Sequence, residues 1–272
     1  VIDRSFLAAE LHKIAKEAAL AIMAIYEQPA LWQTQQKQDL SPVTTADLAA
    51  HQVIAQRLQE LSPRLPLLSE EGAEIPWQTR QTWQRYWLVD PLDGTKEFLE
   101  RNDEFTVNIA LIEEGRAVFG VIYQPVTRCC YLGGPGWGAF KISSEGQQQR
   151  LQTRSLVWPQ MAILTSHRHG LEKLEQFKAS LENQALQLKT IPLGSSLKFC
   201  YLAEGLADVY PRLGPTGEWD TAAAQAILEA AGGQILDWKL RPLTYNQKPE
   251  LTNPDFLAIA DPEAAWSDWL SL

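Results

Sequence analysis

Cysteine is scarce: the chain has 3 in 272 residues. Two are neighbours, Cys129 and Cys130, which gives neither a disulfide framework nor the ligand spacing of a zinc site. A reducing cytoplasm is therefore the expected location. Long apolar runs are missing too. The longest, Ala18 to Tyr26, is too short to span a bilayer, so no transmembrane segment is expected. Lys13 and Lys16 ahead of it give a faint likeness to a signal peptide. Glu10 and Glu17 interrupt the run, however, and its larger residues keep helical spacing, so export is not expected. Val1 in place of Met suggests a trimmed chain. Positive charge is in deficit, with a formal net charge of −9. That argues against a nucleic-acid polymer as partner. A phosphorylated small molecule stays open, because bound cations invert the field inside an acidic site. No segment repeats at a fixed period.

What is present is a globular composition, 45% hydrophobic with Gly and Pro spread throughout, long enough for one large core or two lobes sharing a cleft. Asp3 is a plausible cap for a first helix carrying Leu7, Leu11, Ile14, Ala18, Ile22 and Ile25 on one face. Residues 28 to 44 have no period and are expected as a loop. A second helix follows, capped by Thr44 or Thr45, with Ile54, Leu58 and Leu61 inward. Leu65 to Leu68 is a short strand, and residues 73 to 85 stay unassigned. Antiparallel strands are expected over Phe105 to Ile112, Ala117 to Tyr123, Cys129 to Leu132 and Gly138 to Ile142, with a hairpin turn at Glu113-Glu114-Gly115-Arg116. Gly133-Gly134 fits turn chemistry better than a phosphate cradle. The pattern changes near 143 to 159, which divides an N-terminal α+β lobe (1–150) from a C-terminal α/β lobe (151–272). In the second, strand and helix alternate from Met161. Pro211 to Pro215 is expected as a rigid loop, and Gly232-Gly233 as the cap of an Ala-rich helix.

The chain is organised around Tyr86 to Phe98. An apolar run that predicts a buried strand ends in Asp90-Pro91-Leu92-Asp93-Gly94-Thr95, two carboxylates delivered into a turn. Gly94 permits close backbone approach, and Thr95 is placed to N-cap a helix starting at Lys96. Oxygens of Asp90, Asp93, the Leu92 carbonyl and the Thr95 hydroxyl then face one small volume, a donor set that hard cations such as Mg²⁺ select. Asp-Pro and Asp-Gly pairs also mark ordinary turns. Further carboxylates at element boundaries weigh toward a site: Asp47, Glu70-Glu71 and Asp220. Asp47 and Asp220 also suit the first turns of helices for purely structural reasons. Gly194-Ser195-Ser196 opens a helix with Lys198 in its first turn, where the dipole disfavours a cation. A phosphate partner and a solvated lysine explain that equally well.

These residues resemble the lithium-sensitive, magnesium-dependent phosphomonoesterase superfamily that includes inositol monophosphatases. Its ordered signature is matched by Asp47, Glu70-Glu71, Asp90 to Thr95, Trp219-Asp220 and Gly232-Gly233. Other stretches are similar to its CysQ-type 3′(2′),5′-bisphosphate nucleotidase branch. They are Ser41-Pro42-Val43-Thr44, Leu68 to Glu71, Asp93 to Phe98, Phe105 to Ile112, Gly194 to Cys200 and Tyr210-Pro211-Arg212. Ala224 departs from the Gly of many relatives; packing is expected to adjust around it.

The resemblance implies a layered α/β/α/β/α sugar-phosphatase fold with the site between lobes. It implies removal of the 3′-phosphate from adenosine 3′,5′-bisphosphate and from 3′-phosphoadenylyl sulfate, recycling a by-product of sulfate assimilation, with two or three Mg²⁺ ions. Glu70, Asp90, the Leu92 carbonyl and Thr95 are then expected at one ion, and Asp90, Asp93 and Asp220 at another. Thr95 and Asp47 would activate water. Gly94 and Thr95 N–H groups would steady the phosphoryl group, and Lys198, Arg212, Ser195 and Ser196 would take the second phosphate. His167 is either a nucleotide contact or a surface histidine. Such relatives are sometimes assigned to the cytoplasmic side of the inner membrane as peripheral proteins, but no segment here explains such an association. The alternatives are an inositol monophosphatase and a non-catalytic Mg²⁺-binding partner protein.

Overall fold

The structure, a computed structural model, describes residues 3–28, 34–36, 42–61, 64–72, 74–167 and 171–270. Ser41, the first residue of one motif above, lies outside them. Helix α1 (Arg4–Tyr26) starts where the Asp3 carboxylate accepts the Ser5 N–H, and buries Leu7, Leu11, Ile14, Ala18 and Ile22. Ile25 is only half-buried. The stretch expected as a loop contains an antiparallel pair, β1 (Thr34–Gln36) and β2 (Pro42–Thr44). Three-residue strands are too short to leave an alternating signature. Helix α2 (Thr45–Glu60) is capped by Thr44 and buries Ile54 and Leu58. Leu61 is its C-cap, half-buried and packed against the same core.

Next come β3 (Leu67–Ser69), α3 (Trp77–Arg80) within the unassigned connector, β4 (Arg85–Asp93) and α4 (Thr95–Glu100). The meander continues as β5 (Thr106–Glu113), β6 (Arg116–Gln124), β7 (Cys129–Gly134), β8 (Gly138–Ile142) and β9 (Gln148–Arg150). Gly133 and Gly134 are the last residues of β7 rather than a turn or a cradle. These strands form a 7-stranded sheet in the order β3-β4-β5-β6-β7-β8-β9. Only the β3–β4 pair is parallel.

The remaining elements are β10 (Gln160–Thr165), α5 (Leu171–Glu182), β11 (Gln187–Pro192), α6 (Leu197–Ala203), β12 (Val209–Arg212), α7 (Trp219–Ala231), β13 (Gln234–Asp237), β14 (Phe256–Ile259) and α8 (Trp266–Trp269). Their strands make a 5-stranded sheet in the order β11-β10-β12-β14-β13. Pro211 and Arg212, expected in a loop, are paired residues of β12. The β14 partner supplies the order that local sequence did not show.

Three clusters of buried residues define the layers. Leu11, Ile14, Ile22 and Ile54 from α1 and α2 pack on one face of the larger sheet with Trp87, Val89 and Val121. The opposite face, through Tyr86, Leu88 and Ile122, packs on α6 and α7, which also meet the smaller sheet at Leu164, Tyr210 and Phe256. Phe177, Leu181, Trp266 and Trp269 of α5 and α8 cover its far face. The result is helix, sheet, helix, sheet, helix, the layering expected from the sequence. Among the described residues no helix is long and apolar enough to cross a membrane.

Helix α7 lies between the sheets, and Gly120 of β6 sets how closely it approaches. A β-carbon at Gly120 would fall 2.1 Å from the Ala223 carbonyl oxygen. Backbone cannot yield there as a flexible side chain would. Replacing Gly120 with Ala is expected to destabilise the protein by about 1–3 kcal/mol or more through overpacking. Urea denaturation checks this; an unchanged midpoint would show that the contact is not tight.

Candidate active site

The cleft is built from the end of β4. The strand does not stop at Asp90 but continues to Asp93, with its ladder to β5 broken between these two residues. Pro91, which lacks an N–H, sits in the break, where no ladder donor is required. The Asp90 Oδ1 accepts the Leu92 N–H at 3.0 Å, which closes the turn. Gly94 has φ +95°, the left-handed region that favours glycine, and occupies the N-cap position. Thr95 is therefore the first residue of α4 and not its cap, as the sequence suggested. Its hydroxyl is released for another partner. It donates to Asp47 Oδ1 at 3.0 Å and lies 3.5 Å from the Leu92 carbonyl oxygen.

Asp47 combines both readings open to it. Its Oδ2 accepts the Thr44 N–H at 2.8 Å and the Thr44 hydroxyl at 2.5 Å, completing a capping box, while Oδ1 faces Thr95. Burial pushes its pKa up, the Thr44 bonds oppose this, and the Glu71 charge adds to the rise.

Glu70 follows β3, and Asp220 lies in the first turn of α7. Glu70, Asp90 and Asp220 each bring a carboxylate oxygen within 4.8 Å of the others. Acids spaced across 150 positions of sequence thus meet at one point. Burial, then the neighbouring charges of Glu70, Asp93 and Asp220, push the Asp90 pKa well above the carboxylate range. Asp220 is raised the same way, by burial first and then by Asp93 and Glu70. It is steadied by the Gly217 N–H, which donates to its Oδ2 at 2.9 Å.

Asp93 stands beside this cluster but not in it. Its Oδ2 accepts the hydroxyls of Ser195 and Ser196, each at 2.7 Å. Beyond lies a cavity of about 110 Å³ whose lining includes Asp93, Gly94, Lys198, Tyr210, Arg212 and Asp220. Lys198 is buried, and its Nζ donates to the carbonyls of Leu193 at 3.0 Å and Ser195 at 2.8 Å. That ammonium also lies 5.1 Å from the Tyr210 ring centroid. Burial lowers its pKa to about 8. The Arg212 Nη2 donates to the Pro215 carbonyl at 3.0 Å. Its Nε is buried with no hydrogen-bond partner among the described residues. His167 is half-exposed, with its Nε2 2.8 Å from Glu104 Oε2, and does not line the cavity.

The structure also brings in Glu104, Thr106, Asn108 and Tyr210, which sequence reasoning gave no role. Thr106 and Asn108 are 0% and 1% exposed on a strand whose other residues up to Ile112 are apolar. Polar side chains at fully buried strand positions need partners, and that was the available signal.

The chain belongs to the inositol monophosphatase family, whose profile matches residues 3–264. Members of this family are magnesium-dependent phosphatases. Within the family, the chain is 48% identical over 244 residues to the 3′(2′),5′-bisphosphate nucleotidase CysQ of Salmonella typhimurium, covering 90% of this chain and 96% of that one. It is 46% identical to the protein of the same name from Escherichia coli K12, with the same coverage. The crystal structure of CysQ from Bacteroides thetaiotaomicron superposes with a TM-score of 0.81 at 38% identity, over 96% of this chain and all of that one.

The acid cluster fits a divalent cation on its own terms. Its donors are hard oxygens, and they are buried close enough to repel one another strongly. Without a cation, a carboxyl raised in the folded state gives its full stability only below the ordinary value of about 4, and loses it as pH rises through the raised value. Metal-free protein is thus expected to lose stability from acid toward neutral pH. Asp220→Asn should raise the thermal midpoint of metal-free protein at pH 7 and shrink the increase that Mg²⁺ produces. Calorimetry with and without Mg²⁺ checks this; an unchanged Mg²⁺ increment would remove Asp220 from the cation site.

Proposed function

We propose that this protein is a magnesium-dependent 3′(2′),5′-bisphosphate nucleotidase. It removes the 3′-phosphate of adenosine 3′,5′-bisphosphate to give AMP and phosphate, and acts likewise on 3′-phosphoadenylyl sulfate. The observation that carries this reading is one cleft with two unlike walls. The carboxylates of Glu70, Asp90 and Asp220 cluster beside Asp93, and the cavity that Asp93 and Asp220 line is lined also by two cationic side chains, Lys198 and Arg212. A phosphomonoesterase for a substrate with a single phosphate has no use for the second wall. The nucleotidases similar to this chain support the same substrate class.

Glu70, Asp90, the Leu92 carbonyl and Thr95 would hold one Mg²⁺, and Asp90, Asp93 and Asp220 a second; the family resemblance adds a third, weaker ion near Glu70. Bound Mg²⁺ supplies charge neutralisation at the phosphoryl oxygens and acidifies water. The protein's own residues do the rest. Thr95, hydrogen-bonded to Asp47, orients the attacking water and passes its proton to the Asp47 carboxylate. The raised pKa of Asp47 makes it the stronger base. Gly94 and Thr95 N–H groups face the transferred phosphoryl group and stabilise the charge it gathers. Water adds to phosphorus as the bond to the 3′-oxygen breaks; that oxygen takes a proton from solvent and leaves as the hydroxyl of AMP, and Asp47 returns its proton to solvent.

Lys198 and Arg212 take the phosphate that does not react. Two fixed cations select a bisphosphate over a monophosphate. Three free thiols, Cys129, Cys130 and Cys200, support a cytoplasmic location.

A substrate panel with Mg²⁺ tests the reading. Phosphate release from adenosine 3′,5′-bisphosphate is expected to exceed that from inositol 1-phosphate, and Li⁺ to inhibit it. The reverse preference would make the protein an inositol monophosphatase, and Mg²⁺ binding without release from any substrate a non-catalytic partner. Lys198→Ala should raise KM for the bisphosphate about tenfold more than for 3′-AMP. The charges of Asp93, Glu97, Glu104 and Arg212 act on Lys198, whose pKa is near 8. In the free enzyme its proton is lost above that pH, so kcat/KM for the bisphosphate should fall there. A flat profile to pH 9 would show that Lys198 does not hold the second phosphate.

A further inference from the structure

Against the turn Gly194-Ser195-Ser196, which lines the cleft, lies a hydrogen-bonded strap. Glu104, Thr106 and Asn108 alternate along the entry to β5, and each meets one residue of the turn Gly194-Ser195-Ser196. The Glu104 Oε2 accepts the Gly194 N–H at 2.6 Å. The Thr106 and Ser195 hydroxyl oxygens lie 2.8 Å apart. The Asn108 Nδ2 donates to Ser196 Oγ at 2.8 Å. Ser195 has φ 51°, a left-handed conformation that a residue with a β-carbon keeps only when its surroundings hold it.

Each serine hydroxyl carries one proton. The Ser195 hydroxyl donates to Asp93 Oδ2, and the Ser196 hydroxyl shares its proton between Asp93 Oδ2 at 2.7 Å and the Asp220 carbonyl at 3.2 Å. Ser196 Oγ therefore accepts from Asn108. In the Thr106–Ser195 pair either hydroxyl can donate, and Thr106 Oγ1 also donates to Asn108 Oδ1, 2.9 Å away. The same turn constrains the other wall, because the Leu193 and Ser195 carbonyls accept from Lys198 Nζ. Asp93 on β4 and Lys198 on α6 are thus tied to one turn, whose shape is set by one edge of β5.

We propose that Glu104, Thr106 and Asn108 are positioning residues that fix the separation between the Asp93 carboxylate and the Lys198 ammonium, and thereby the spacing of the two phosphates the enzyme accepts. This rests on the nucleotidase reading above. None of the three touches the reacting atoms. They act through Ser195 and Ser196 on the first wall, where the Asn108 Nδ2 also reaches Asp93 Oδ2 directly at 3.5 Å, and through the 193–195 carbonyls on the second.

The test compares Thr106→Val, which deletes a hydroxyl at nearly constant volume, with Thr106→Ser, which keeps it. Glu104→Ala, at the partly exposed rim, serves where the buried variant does not fold. Two quantities are read: the ratio of kcat/KM for adenosine 3′,5′-bisphosphate to that for 3′-AMP, and the Mg²⁺ dissociation constant from calorimetric titration without substrate. Thr106→Val and Glu104→Ala are expected to lower the ratio about tenfold, and Thr106→Ser to keep the wild-type ratio. Thr106→Val should also weaken Mg²⁺ binding severalfold, since Asp93 loses its fixed direction. Equal loss on both substrates overturns the inference and leaves these residues a purely structural role. A wild-type protein that does not distinguish the two substrates sinks the nucleotidase reading instead. In that case unchanged Mg²⁺ affinity in Thr106→Val overturns the strap's hold on Asp93.

Discussion

Carboxylates crowded together away from water repel one another, and the placements in this cleft answer to that repulsion. Two unit charges about 5 Å apart oppose each other by roughly 3 kcal/mol at an effective dielectric near 20. Glu70, Asp90 and Asp220 stand at such distances, with Asp93 beside them. A typical domain has a net stability of only about 5–15 kcal/mol. The fold tolerates the cluster because its members stand on elements held by other contacts. Asp90 is on a strand buried along most of its length, and Asp220 is on a helix enclosed between two sheets.

The same repulsion explains the division of labour in the cleft. Asp90 and Asp220 have few local hydrogen bonds to offset burial, so they sit high on the pKa scale. Asp47 is buried as well, but the capping bonds from Thr44 keep it fixed beside Thr95. Asp93 is held by two hydroxyls. Opposite charge is supplied from the far side, by a lysine anchored on backbone carbonyls and an arginine on β12. In the proposed reaction, the substrate's two anionic groups meet two different answers to the same electrostatic problem.

Much of this was legible in the sequence because it is written locally. An apolar strand running into Asp90 and Asp93, a cap at Thr44, and Asp220 in a helix's first turn all show in short windows. The layered fold followed from resemblance, and the order of the smaller sheet did not follow from local pattern at all. Arg212 was expected in a loop because Pro211 and Gly214 suggest one, yet pairing with β14 makes it a strand residue. Thr95 was expected as a cap, but the left-handed Gly94 takes that position. Thr106 and Asn108 show locally only as polar residues in an apolar run, and what they hold is not legible there, since their partners are 89 and 88 residues away. The sequence alone leaves His167 open between a nucleotide contact and a surface histidine, and its contact with Glu104 places it at the rim.

The close approach of Gly120 to Ala223 reaches further than local packing. Main chain rests on main chain there, so the height of α7 above the larger sheet does not depend on which rotamers the surrounding side chains adopt. Asp220 sits three residues before that contact on the same rigid rod. One carboxylate of the cluster is thereby referenced to a hard mechanical stop, and substitutions in the outer layers can accumulate without changing its elevation.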